Sequence, residues 1–229
     1  MGSPIRVISS MATKALLAEL ARAYAHRSGG EVIVASVGGV DAARRVQAGE
    51  AFDLVVLAAE AIDKLFAGGH LVPGSKRDLV HSGVAIALRA GAPRPDVSSE
   101  AALQRAVLAA RSVGCSSGPS GGQLAKLFER WGIAAQIQDR TVIAPPGVPV
   151  GALVARGEVE LGFQQLSELM HLEGVQVLGP LPDPVQIVTT FSAGIGAAST
   201  QADAAAALLH FMASPEAADA KQRQGMQPA

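Results

Sequence analysis

Cysteine, aromatic residues and charge are all scarce in this sequence of 229 residues. Cys115 is the one cysteine, which excludes an internal disulfide and a zinc site built from cysteines. One Tyr, one Trp and six Phe leave few surfaces for base stacking, and 19 Lys plus Arg nearly balance 20 Asp plus Glu. Because nucleic-acid binding relies on a basic surface and stacking side chains, we exclude nucleic acid as a partner.

Metal-binding and nucleotide-binding motifs are also missing. The histidines show neither HxH nor HExxH spacing and fall in different segments: His26, His70, His81, His171 and His210. The loop at Gly38-Gly39 lacks the third glycine of a dinucleotide fingerprint, and Gly118–Gln123 lacks the lysine of a P-loop. We therefore predict no metal site and no cofactor.

The sequence has neither a long apolar run nor a recognisable leader. No window reaches the roughly 20 apolar residues that a membrane span needs, so we predict no insertion into a membrane. The apolar run at 5–8 follows Met1-Gly2-Ser3-Pro4 without a basic segment or a cleavage site. Two locations stay open: the cytoplasm, or the periplasm if a leader has been removed and replaced by Met-Gly-Ser.

Short apolar runs alternate with longer helical patterns, which is typical of βαβ units and a mostly parallel sheet. The predicted strands of the first half are 5–8, 31–36 and 54–57, and the helices are 12–27 and 41–48. A break at 92–95 precedes helices at 100–110 and 120–131, strands at 112–116, 141–144 and 161–163, and a helix after Gly147. An extended run at 185–190 and helices at 200–212 and after Pro215 complete the chain.

This order of elements predicts an α/β protein of two lobes. Lobe I comprises residues 1–80 and 191–229, and lobe II comprises residues 81–190. Extended segments at about 81–90 and 184–190 would form a hinge, because the chain passes between the lobes twice, and a cleft would lie between the lobes.

Loops rich in serine and glycine follow four of the strands, at the point where a helix begins. They are 9–12, 36–41, 116–122 and 145–149, and they include Gly39, Ser117 and Ser120. A helix N-terminus presents unpaired N–H groups, and ligands of open α/β sheets lie beyond the carboxyl ends of the strands. Each loop alone is an ordinary cap or turn, but four in one topological position predict a shared site for a small anion.

Several segments resemble the type 2 periplasmic binding proteins, specifically the molybdate-binding proteins of ABC importers. They are IRVISSMATKALLAELARAY, SVGGVDAARRVQAGEAFDLVVLAAEAIDKLFAGGHL, GALVARGEVELGFQQLSEL and FMASPEAADAKQRQGMQPA. The resemblance implies the fold of that family, a monomer, a small anionic ligand and, if the protein is exported, an ABC importer permease as partner. It also implies a ligand site formed by Ser9, Ser10, Ser36 or Gly38, Ala58, the amide of Val148, and Gln164.

Two departures from the molybdate-binding pattern favour a small organic acid over a metal oxyanion. Gln164 stands where those proteins carry a tyrosine, and Gly39 or Val40 stands where their second loop carries a serine. We therefore predict a binding protein for a small anion, either an oxyanion or a carboxylate.

Aconitate isomerases, which the chain also resembles, supply the alternative: a cofactor-free shift of the double bond in an unsaturated tricarboxylate. Such a shift needs a base, and His81, Glu60 and Glu168 are candidates by residue type and position. A cytoplasmic ligand sensor is a third alternative.

Overall fold

A computed structural model describes residues 3–145 and 147–229. Met1 and Gly2 of the predicted replacement start, and Pro146 of the loop at 145–149, lie outside the described residues. The chain divides into two compact units: unit 1 comprises Met1–His81 and Thr190–Ala229, and unit 2 comprises Ser82–Thr189. No helix in the described ranges has the length and apolar character needed to cross a membrane.

Unit 1 is a sheet covered by helices on both faces. Its strands are β1 (Ile5–Ser10), β2 (Val32–Val37), β3 (Leu54–Ala58), the first part of β4 (Arg77–Arg89), most of β9 (Val188–Ile195) and β10 (Met226–Pro228). Its helices are α1 (Lys14–Ser28), α2 (Gly39–Gln47), α3 (Ala59–Ala67), α9 (Ala202–Ala213) and α10 (Ala218–Arg223). The strand order is β2-β1-β3-β9, in which β1 is parallel to β2 and β3, and β9 is antiparallel to β3.

Apolar side chains on the two faces of the unit 1 sheet form two cores. On one face Leu16, Leu17 and Leu20 of α1 pack with Leu208 and Met212 of α9. The other face packs the short helices α2 and α3 against β1 and β3. Since β3 is buried on both sides, it reads as a continuous apolar run, LVVLA, rather than an alternating one.

Unit 2 is a second mixed sheet with its own core. Its strands are the second part of β4, β5 (Val113–Cys115), β6 (Thr141–Ile143), β7 (Leu161–Gln165) and β8 (Val175–Pro180). Its helices are α4 (Glu100–Ala109), α5 (Pro119–Arg130), α6 (Ala134–Ile137), α7 (Val150–Ala155) and α8 (Leu166–Leu169). The order is β4-β7-β5-β6 with β8 beside β4; β5 is parallel to β6 and β7, and β4 is antiparallel to β7 and β8.

The predicted α/β class with mixed, mostly parallel sheets is confirmed. Several short elements were not predicted, namely α3, α6, α8, β8 and β10. Strand β8 includes a proline, because Gly179 and Pro180 end this strand and pair with β4. Proline is compatible with this position because it stands at the end of the strand, where a missing N–H costs little.

Candidate functional site

The carboxyl ends of β1, β2 and β3 lie together at one edge of the unit 1 sheet. Ser9 pairs in register with Ser36 of β2, and it also pairs with Val56 of β3. Each of these strands is followed directly by the start of a helix, so the loops after the strands meet at this edge. The predicted residues Ser9, Ser10, Ser36, Gly38, Gly39 and Ala58 all belong to this edge.

The serines at this edge differ in whether their hydroxyls have partners. The Ser9 and Ser36 Oγ atoms lie 2.8 Å apart, and Ser9 Oγ also donates to the carbonyl of Ser10 at 3.3 Å. Ser10 Oγ is the one buried side-chain polar atom of the described residues that has no hydrogen-bond partner, and the Ser10 residue is only 8% exposed. A buried hydroxyl without a partner is costly, so Ser10 is the strongest candidate for a ligand-binding hydroxyl at this edge.

The helices α2 and α3 begin at this edge without side-chain caps. Their N-cap residues, Gly38 and Ala58, carry no oxygen that could accept from the N–H groups of the first turn. A Cβ placed on Gly39 would lie 3.8 Å from the Cβ of Ser10, so the start of α2 lies beside the unpaired hydroxyl. Two uncapped helix starts and an unpaired hydroxyl form a site suited to an anion.

Charged side chains at this edge are few, and most of them are exposed. Asp41 in the first turn of α2 pairs with Arg44 at 2.6 Å, so Arg44 is engaged on the helix surface. Glu60 in the first turn of α3 and Lys14 at the start of α1 are both exposed. Recognition of an anion at this edge would therefore rely mainly on amides and hydroxyls.

Unit 2 carries a second serine and glycine loop, between β5 and α5. Ser116 Oγ lies 3.1 Å from Ser120 Oγ, and Ser120 is 6% exposed, whereas Ser117 is exposed. Gly118 caps α5 without a side-chain bond. A Cβ on Gly121 would stand 1.8 Å from the carbonyl oxygen of Ser116, so only glycine allows the helix to begin this close to the strand.

Two residues predicted to bind ligand through unit 2 already have partners. The Val148 amide donates to the carbonyl of Pro145 at 3.0 Å, so it is engaged within its own turn. Gln164 is 3% exposed; its Oε1 accepts from the amide of Gly151 at 3.1 Å, and its Nε2 donates to Glu168 Oε1 at 2.9 Å. Direct binding by the Val148 amide would require the loss of its bond, whereas Gln164 could offer a ligand only the second N–H of its Nε2.

Glu168 and Gly151 are the two hydrogen-bond partners of the Gln164 side chain, and only Glu168 was a candidate from the sequence. Burial raises the pKa of the Glu168 carboxyl to about 7, and the hydrogen bond from Gln164 opposes part of that shift. Gly151 was not singled out by sequence, since nothing in VPVGAL marks its amide as the partner of a side chain 13 residues later. Glu168 was one of three possible bases, and the burial that sets it apart is visible only in the fold.

His81, another of the candidate bases, and the cysteine have ordinary surroundings. His81 Nδ1 lies 2.9 Å from Thr190 Oγ1, and this pair joins the two segments of unit 1. Burial raises the pKa of the Cys115 thiol to about 12, which suits a core residue rather than a nucleophile. The described residues contain no group of His, Cys, Asp or Glu side chains placed to hold a metal ion.

Comparison with known proteins relates this geometry to a family. The curated relative aconitate isomerase from a Pseudomonas species is 37% identical over 98% of this chain and 87% of its own length. The periplasmic molybdate-binding protein of Azotobacter vinelandii superposes with a TM-score of 0.81 at 19% identity, covering 97% of this chain and 98% of that one. The sulfate-binding protein SubI of Mycobacterium tuberculosis H37Rv gives a TM-score of 0.79 at 19% identity, covering 100% and 88%.

The sequence profile described as "bacterial extracellular solute-binding protein" matches residues 5–227, which is nearly the whole chain. This breadth of match, together with the two mixed sheets and the serine and glycine loops at their carboxyl edges, confirms the predicted resemblance: the chain belongs to the family of bacterial extracellular solute-binding proteins.

Proposed function

We propose that this protein binds a small organic polycarboxylate, with one carboxylate held at the carboxyl edge of the unit 1 sheet. The observation that carries the proposal is the buried, unpaired hydroxyl of Ser10 beside the uncapped start of α2. A carboxylate oxygen would accept from this hydroxyl and from helix N–H groups, so it would satisfy donors that have no side-chain partner.

A polycarboxylate fits better than a bare tetrahedral oxyanion for two reasons. Gln164 presents no hydroxyl at the position where the resemblance implies a tyrosine, and its amide is held by Gly151 and Glu168, which leaves at most one N–H of Nε2 for a ligand. The relative named aconitate isomerase, which matches over nearly the whole chain, acts on an organic acid with three carboxylates.

A thermal-shift panel tests the ligand class. The purified protein is heated with molybdate, tungstate, sulfate, citrate, cis-aconitate or trans-aconitate at equal ionic strength. A ligand at about 100 times its Kd adds about 2.7 kcal/mol to the free energy of unfolding, which for a chain of this size raises the Tm by about 5–10 °C. We expect this shift with at least one tricarboxylate, and a shift with only molybdate and tungstate would overturn the proposal.

Isomerisation of an aconitate-type substrate is a second candidate function. It is favoured by the 37% identity to aconitate isomerase and by the Glu168 carboxyl, whose pKa of about 7 suits proton transfer at neutral pH. The test is proton NMR of trans-aconitate incubated with the protein. Growth of the cis isomer above a protein-free control supports the activity, and an unchanged spectrum at high protein concentration refutes it.

A further inference from the structure

Glu168 lies at the carboxyl edge of the unit 2 sheet, in the first turn of α8 directly after β7. Strands β5 and β7 are parallel, with Cys115 in register with Phe163. The loop that begins α5, with the Ser116 and Ser120 hydroxyls, therefore lies at the same edge as Glu168. An acidic side chain and hydroxyl groups thus share one edge of this sheet.

The elements packed around Glu168 carry almost no charge. Neither α7 (VGALVA), β7 (LGFQQ) nor β8 (VQVLGP) contains a titratable side chain. The unit 2 part of β4 contains only Arg89, at the far end of the strand and beside Gly157, while His171 and Glu173 after α8 are exposed. Among the described residues no ion pair therefore holds Glu168 in the charged form, and burial raises the pKa of its carboxyl to about 7.

One carboxyl oxygen of Glu168 is fixed and the other is available. Oε1 accepts from Gln164 Nε2, whose own Oε1 is anchored by the Gly151 amide. Oε2 has no hydrogen-bond partner in the described parts of the chain, and it is not among their buried unpaired atoms, so it reaches solvent. This combination of a held orientation and a free oxygen is what a proton-transfer group requires.

We propose that Glu168 is the proton-transfer residue of the isomerase activity proposed above, on which this assignment rests. The carboxylate takes a proton from the methylene carbon of the unsaturated tricarboxylate, and the electron pair of the broken C–H bond forms a new double bond to the central carbon. The electrons of the original double bond then take a proton at the former vinyl carbon, and the same carboxyl returns it. No atom or electron is gained or lost overall.

The test compares Glu168→Gln with wild type in two assays. Glutamine keeps the size of the side chain and an Oε1 that accepts from Gln164, but its Nε2, which replaces Oε2, cannot accept a proton. We expect the isomerisation rate followed by NMR to fall about 100-fold or more. Deuterium uptake from D₂O into the methylene group should fall in parallel, while the Kd for trans-aconitate by calorimetry changes less than about threefold, since a transition-state contact is lost rather than a binding contact.

Glu173→Gln is the matched control, because it makes the same change at an exposed acid five residues later, and it should isomerise like wild type. The pH profile of wild-type kcat/KM is a second measurement that needs no variant: we expect it to rise with pH and to level off above about 7.

Activity of Glu168→Gln within fivefold of wild type, or a flat wild-type profile between about pH 5.5 and 8.5, would overturn the assignment of Glu168. Wild type that binds trans-aconitate without isomerising it would overturn the isomerase activity, and this result differs from the first because the wild type itself is inactive.

Discussion

Replacing Ser10 by alanine should move stability and affinity in opposite directions. Ser10 Oγ is buried without a partner in the described protein, and such a hydroxyl costs about 1–3 kcal/mol of folding free energy. Ser10→Ala removes this cost, and the methyl group left behind is the existing Cβ. Taking the lower end of the range, we expect the ligand-free variant to be about 1 kcal/mol more stable, which raises its Tm by about 2–4 °C.

Affinity should fall because the bound anion loses one donor. A hydrogen bond to a charged group is worth about 1.5–3 kcal/mol, so the Kd of Ser10→Ala for the polycarboxylate should rise by about 10- to 150-fold. The assays are differential scanning calorimetry without ligand and isothermal titration calorimetry with it.

The neighbouring serine is the matched control. Ser9→Ala breaks the 2.8 Å contact with Ser36, so it should lower the Tm of the ligand-free protein instead of raising it. A Ser10→Ala variant with a lowered Tm, or with an unchanged Kd, would refute the assignment of Ser10 as a ligand-binding hydroxyl.

Three further predictions concern packing and titration. Gly121→Ala would place a Cβ 1.8 Å from the Ser116 carbonyl oxygen, so we expect the free energy of unfolding to fall by more than about 3 kcal/mol, or the variant not to fold. Gly122→Ala is the control: a Cβ there has nothing within 4 Å, so this variant should keep the wild-type Tm or exceed it. Equal Tm values for the two variants would contradict this account. Lys221 is 2% exposed, and burial lowers its pKa, so the folded state disfavours the charged ammonium. The stability of wild type should therefore increase as the pH is raised towards the pKa that this lysine has in the unfolded chain. Lys221→Met should therefore have a higher Tm than wild type at pH 7, and the difference in Tm should be smaller at pH 10. The same difference at both pH values would argue against the burial effect. Cys115, whose pKa is raised to about 12, should resist a thiol-specific disulfide reagent at pH 8 in the folded protein and react after denaturation in guanidinium; rapid reaction of the folded protein would show that the thiol is accessible.

The long elements of the fold could be predicted because their patterns are local. The apolar spacing of Leu16, Leu17 and Leu20 predicts the buried face of α1, and the run at 54–57 predicts a strand buried on both sides. The short elements escaped prediction because they are held by tertiary contacts. Helix α8 has only four residues, and β10 has three, so neither repeats often enough to show a period.

The candidate site likewise has a part that the sequence predicts, its loops, and a part that it does not, the contacts of individual side chains. The serine and glycine loops could be located from sequence, since their residue types mark helix starts after strands. The states of individual side chains could not be predicted. Ser9 has a hydroxyl partner and Ser10 has none, and this difference depends on a strand that lies far away in sequence. The hydrogen bond from Gln164 to Glu168 likewise becomes visible only in the fold.

The discontinuity of unit 1 has a consequence for how the chain folds during synthesis. Unit 2 is one continuous stretch, so all of its strands are available once residue 189 has been made. Unit 1 needs β9 beside β3, where Leu54 pairs with Ile195, and it also needs α9 to cover Leu16 and Leu17. The first 81 residues must therefore wait, with part of their apolar surface uncovered, until nearly the whole chain has left the ribosome. These first 81 residues are the segment that a chaperone would have most time to bind.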